Sequence, residues 1–142
     1  MNRLRLSAAA CTIALPTLTG CSDDDSPEDR ATKAVSQACD DLGQLRTDTA
    51  TLDGLDPATT TKDQIEDAYE DVRDDWDEVR DDLGDLDDAR RTALQDGADG
   101  LKKTYDDLPG GTTGQQALSR LQPSVDKLGQ AVTGAFSGLD CS

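Results

Sequence analysis

The chain has 142 residues, with 30 Asp and Glu against 14 Lys and Arg, a formal charge of −16 and no histidine. One domain is the most this length supports, and a field so negative repels phosphate backbones, so no nucleic-acid partner is expected. The missing histidine removes the usual general base and the commonest metal ligand, and aromatics at 3 % leave little to line a deep pocket.

Residues 1–21 read MNRLRLSAAACTIALPTLTGC. Arg3 and Arg5 make a short positive start, and a mostly apolar stretch from Leu6 to Leu18 follows. It is too short for a comfortable membrane span and carries Pro16, so it reads as the core of a signal peptide. The stretch ends in Leu18-Thr19-Gly20-Cys21, an aliphatic residue, two small residues and a cysteine. This resembles the lipobox of bacterial lipoproteins. The resemblance implies a diacylglycerol thioether on Cys21 and cleavage before it, with residues 1–20 removed. Cleavage takes two arginines and no acid, so the mature charge would be −18. Two or more acyl chains hold a protein firmly to a bilayer at roughly 0.8 kcal/mol per buried CH₂. The expected location is therefore the extracytoplasmic face of the cell membrane, with the bilayer as a partner through the anchor.

Of four cysteines, Cys11 leaves with the signal peptide and Cys21 is taken by the lipid. Cys39 and Cys141 remain. An exported compartment permits a disulfide, and no Cys-x-x-Cys spacing points to a redox pair. A structural Cys39–Cys141 bond is expected, closing a loop of about 100 residues worth roughly 4–5 kcal/mol in the chain-entropy model.

Residues 21–28 read as a lipidated acidic tether containing Pro27, and residues 29–142 as a single helical domain. The first helix carries Ala31, Val35, Ala38, Leu42, Leu45, Thr49 and Leu52 at alternating four- and three-residue steps. It stops at Leu52-Asp53-Gly54-Leu55-Asp56-Pro57. A second helix starts at Thr61, a good N-cap with Asp63 and Gln64 behind it. Its seam runs Ile65, Tyr69, Val72, Trp76, Val79, Leu83, Leu86, then Arg90, Leu94, Gly97, Leu101, Tyr105 and Leu108. Two of its heptads, EDVRDDW and DEVRDDL, are near copies. Pro109-Gly110-Gly111 ends it. A third helix covers about Thr113 to Leu139, with Pro123 inside it.

The expected fold is all-α: an antiparallel bundle of three helices with a long middle helix. The alternative is a four-helix up-down bundle broken near Gly84, where Gly84-Asp85 and Asp87-Asp88 offer a C-cap followed by an N-cap. Seam continuity through residues 83–90 and the level of Cys39 against Cys141, judged by folding the outer helices back on the middle one, both favour the long helix. Trp76 would then lie near the disulfide at the centre of the core.

The acids Asp67, Asp71, Asp74, Glu78, Asp81 and Asp82 recur on one helix. Stacked carboxylates can bind Ca²⁺, but no EF-hand pattern is present and a solvated face is the plainer reading. No Gly-x-Ser-x-Gly elbow, Ser-x-x-Lys motif or phosphate loop appears. Arg73 and Asp77 have the spacing of an ion pair, and Arg90 interrupts the seam, placed to pair with an acid where helices meet. Tyr69, Trp76 and Tyr105 fall on the core seam, though a groove between unequal helices can take a partner helix. No catalytic residue, metal or cofactor is expected. The composition looks like that of small lipoproteins of high-GC actinobacteria. The expected role is non-catalytic, an interaction, spacer or assembly module with an envelope protein as partner. Binding of a small ligand or divalent cation is the alternative.

Overall fold

Helix formation begins at Ser26, whose hydroxyl accepts from the Asp29 N–H at 3.2 Å while the Asp29 carboxylate takes the Ser26 N–H. That reciprocal cap, with Pro27 preset for the first turn, starts α1 (Pro27–Asp53). The structure, a computed structural model, describes residues 26–141. The signal segment, Cys21 and the tether up to residue 25 lie outside the described residues. Pro27 and Glu28, expected in the tether, are already helical.

Thr61 caps α2 (Lys62–Asp81) through Gln64, as its sequence position implies. The long middle helix is not formed. A 3-10 turn at Leu83–Asp85 and an extended Leu86 break it, and Asp87 caps α3 (Asp88–Asp106) by accepting from the Arg90 N–H at 3.0 Å. Among the described residues the fold is thus four α-helices with no strand, and the four-helix alternative replaces the three-helix expectation. The break is held from inside. Leu83 and Leu86 are buried, and the Arg91 guanidinium donates to both their carbonyls, at 3.2 and 2.9 Å. Both leucines keep pointing inward through the turn, so the apolar rhythm continues where the helix does not.

Thr113 and Gln116 make a third reciprocal cap and start α4 (Gly114–Gly138). Pro123 sits inside α4 on its exposed side without delaying its start. Gly114 lies so close to the Thr60 carbonyl that a Cβ there has no room. The helix ends in a Schellman motif: Cys141 N–H donates to Phe136 O at 3.2 Å, Asp140 N–H to Ser137 O at 3.4 Å. Asp140 takes the left-handed φ of 54° that this motif demands.

α4 is the central helix. It packs along α3 and α1 and more lightly on α2, while α2 packs chiefly on α1. Its inward residues Leu118, Leu121, Val125, Leu128 and Val132 are each at most 1 % exposed. Leu42, Leu45 and Leu52 of α1, Ile65 and Val72 of α2, and Leu94 and Leu101 of α3 close on them. The core is therefore aliphatic. Gly97 of α3 lets that helix approach α4 closely: a Cβ there would lie 3.1 Å from Leu128 Cα.

α1 and α4 run antiparallel, with Gly43 opposite Phe136, Thr49 opposite Gly129, and Asp53 bonded to Gln122. Carried four residues further, that register puts Cys39 beside the C-terminal turn. The two cysteines are bonded, with Cα atoms 5.5 Å apart. Judging their level through the middle helix misleads, because the segments carrying them are direct neighbours.

Candidate functional site

α2 and α3 are consecutive, yet their flanks hardly touch. Each packs toward a different neighbour, and the space between them stays open. At one end Tyr69 of α2 stacks on Tyr105 of α3, ring centroids 3.9 Å apart and planes within 8°. From that stack a groove of about 350 Å³ runs between the helices. Val72 and Trp76 form its α2 wall, Ala98 and Leu101 its α3 wall, and Leu128 of α4 its floor. The volume lies within the range of small-molecule sites.

The helical period explains this lining. Tyr69, Val72 and Trp76 lie three and four residues apart, so they share one face of α2. The inner part of that face enters the core, with Val72 2 % exposed. Trp76 is only half-buried. It is not the centre of the core, because no side chain of α3 closes over the groove wall on which it stands. The expectation that Tyr69, Trp76 and Tyr105 are core residues thus holds for Tyr69, while Trp76 and Tyr105 pack against the core from its edge.

Charged residues edge the groove. Arg73 and Arg80 come from α2, Lys102 from α3, facing Asp77 and Asp99. The expected Arg73–Asp77 pair gives way to Arg73–Asp74 at 3.0 Å and Arg80–Asp77 at 3.3 Å. These are exposed pairs within one helix, each worth a few tenths of a kcal/mol, so they do not fix the guanidiniums in place.

A second polar constellation lies on the other side of α2, where it packs on α1. Asp75 faces Asp48, and Asp82 faces Asp41. Burial pushes the Asp75 carboxyl up to about 7, helped by the neighbouring Asp48, Glu78 and Asp71 charges. Asp41 is raised for the same reasons, burial first and Asp82 second. Asp75 Oδ2 is closed off from water with no donor aimed at it, so a proton shared with Asp48 is the natural way to satisfy it. These acids flank the seam seven residues apart on both helices, a spacing visible in the sequence once the two helices are known to pair. Of the expected acidic face, Asp67, Asp71, Asp74, Glu78 and Asp81 are exposed, while Asp82 is half-buried against Asp41. Among the described residues no three Asp, Glu or Cys side chains are placed to hold one metal ion.

Arg90, the break in the seam, pairs with Asp87 of its own first turn and donates through Nε to the Gly134 carbonyl of α4 at 3.0 Å. It ties two helices together at the disulfide end of the bundle. Cys39 and Cys141 meet as expected, and Cys21 lies outside the described residues. Between Cys21 and the bundle, residues 27–37 of α1 are exposed apart from half-buried Val35. No described helix is long and apolar enough to cross a membrane. Compared with protein-family models, with curated proteins and with solved structures, the chain matches none.

Proposed function

We propose that this chain is a lipid-anchored protein of the bacterial cell envelope, held by Cys21 on the extracytoplasmic face, and that it acts by binding rather than by catalysis. The observation that carries the reading is the exposed beginning of α1. It starts six residues after Cys21, at Pro27, and is exposed as far as residue 34, about 12 Å at 1.5 Å per residue. A helix exposed over its first two turns is of use as a rigid spacer between an anchor and a domain. The disulfide at Cys39 roots the spacer at the point where it enters the core, and a disulfide suits an exported protein.

The decisive experiment replaces Cys21 with Ser in cells fed labelled palmitate. The native chain should take up the label and sediment with membranes, and Cys21→Ser should do neither. Membrane retention of an unlabelled Cys21→Ser chain would refute the anchor. Cross-linking of the native chain in cells then separates the binding roles. One dominant envelope partner supports a protein-interaction module, and self-links alone support a spacer. The closed end and apolar floor of the α2–α3 groove favour a second reading, that the bundle carries a small ligand.

A further inference from the structure

The geometry points to the α2–α3 groove as a binding site for a small amphipathic anion, one with a flat apolar body and a single acidic head. Size selects a small molecule. Along α2 from Tyr69 to Arg80 the groove wall is about 16 Å long. A peptide helix about 10 Å across laid over that length displaces roughly 1,200 Å³, more than the groove's whole empty space of about 810 Å³ with its open mouth counted. A partner helix would rest on the rim and leave the floor unfilled.

The lining selects the body. Trp76 offers a half-exposed ring face, and the exposed Arg73, Arg80 and Lys102 offer their hydrocarbon stems. Val72, Ala98, Leu101 and Leu128, each at most 8 % exposed, back the groove and keep it apolar. The Tyr69–Tyr105 stack closes one end. A flat ring laid on the indole face gains stacking in addition to the apolar area it covers.

Charge selects the head. The whole chain has 30 acids against 14 bases. Among the lining residues themselves cations outnumber acids, with Arg73, Arg80 and Lys102 against Asp77 and Asp99, while Asp74, Asp81 and Asp106 pair with these bases from outside the lining. The two arginines lie seven residues apart on one face of α2, and Lys102 stands on the opposite wall. All three reach acids of their own helices only through exposed pairs, which an anionic head on the apolar floor can displace at small cost. With those exposed pairs displaced, three cations on two facing walls favour an anionic head over neutral and cationic ligands of equal shape.

The inference concerns the bundle and not the anchor, so the full chain serves as it is isolated, in solution or on phosphatidylcholine vesicles. The chain has one tryptophan, and its quenching reports the groove alone. Naphthalene-2-sulfonate is titrated against naphthalene-2-sulfonamide, a neutral molecule of the same size. The expected result is saturable one-to-one quenching by the sulfonate, at least tenfold tighter than by the sulfonamide. Arg80→Glu with Lys102→Glu, both exposed positions, should abolish that preference while leaving the helical circular dichroism intact. Ala98→Phe, which fills the groove, should weaken both ligands tenfold or more. If Ala98→Phe fails to fold, the charge-reversed protein still decides the matter. Absence of saturable quenching, equal affinity for the two probes, or a preference that survives charge reversal would overturn the inference.

Discussion

Asp75 of α2 lies against Asp48 of α1, carboxyl to carboxyl, in the half-buried seam where the two helices pack. Asp41 and Asp82 repeat the arrangement seven residues along. Like charges in a packed interface weaken it when ionised, and a shared proton removes the repulsion.

Stability should therefore rise as the medium is acidified. Asp75 holds its proton up to about pH 7 in the fold but only to about pH 4 once unfolded. Its contribution is complete below about pH 4 and is lost as the pH rises through about 7. Allowing for solvent around a partly exposed carboxyl, the gain from about pH 8 to about pH 5 is about 1–2 kcal/mol, a Tm rise of several degrees. Asp75→Asn should melt higher than the native chain at about pH 8 and show a flatter pH profile. Parallel profiles for the two proteins would count against the pair.

The Cys39–Cys141 bond closes a separation of 102 residues. Replacing both cysteines with Ser should cost about 3–5 kcal/mol in denaturant unfolding, since the unfolded chain regains that loop's freedom. Amide exchange should speed up first at the beginning of α1 and in the last turn of α4, which the bond holds together. A loss under about 1 kcal/mol would show that the bundle does not depend on it.

Two glycines of α3 should respond in opposite directions. A side chain at Gly97 meets the Leu128 backbone, so Gly97→Leu should destabilise by about 1–3 kcal/mol by forcing α3 off α4. Gly100 has nothing within 4 Å of a Cβ. Gly100→Ala should add about 0.5–1 kcal/mol by helix propensity. Thermal melts of the two variants side by side are the check, and similar shifts would mean that the close approach is not tight.

Thr49 is 3 % exposed, and its hydroxyl oxygen has no hydrogen-bond partner. Other threonines of α1, such as Thr47, return theirs to the carbonyl four residues back. Thr49→Val keeps the shape and removes the orphaned oxygen, so stability should increase by about 1 kcal/mol. A decrease would mean that a bound water satisfies the hydroxyl in solution.

Much of the architecture was legible because it is local. The caps at Thr61 and Thr113 depend on side chains reaching backbone groups three residues away, and the stops at Gly54 and Pro109-Gly110 depend on backbone chemistry. The apolar steps of α1 gave the inward face correctly from Ala38 to Leu52. They failed at Ala31, which is exposed, because a periodic face needs a neighbour to cover it and none reaches that far.

The sequence by itself determined an all-α chain and most of its inward faces, and it made a Cys39–Cys141 bond the expected one. Only the tertiary structure decided that the middle segment breaks, since Leu83 and Leu86 stay buried through the turn and preserve the periodicity of an unbroken helix. It also decided which helices became neighbours. Placing α4 at the centre joined the cysteines directly, set Asp48 against Asp75, and left α2 and α3 apart with Trp76 on a groove wall. Periodicity describes one helix and its own face. Which faces meet depends on the volumes that α4 can bury, and that is a property of all four helices together.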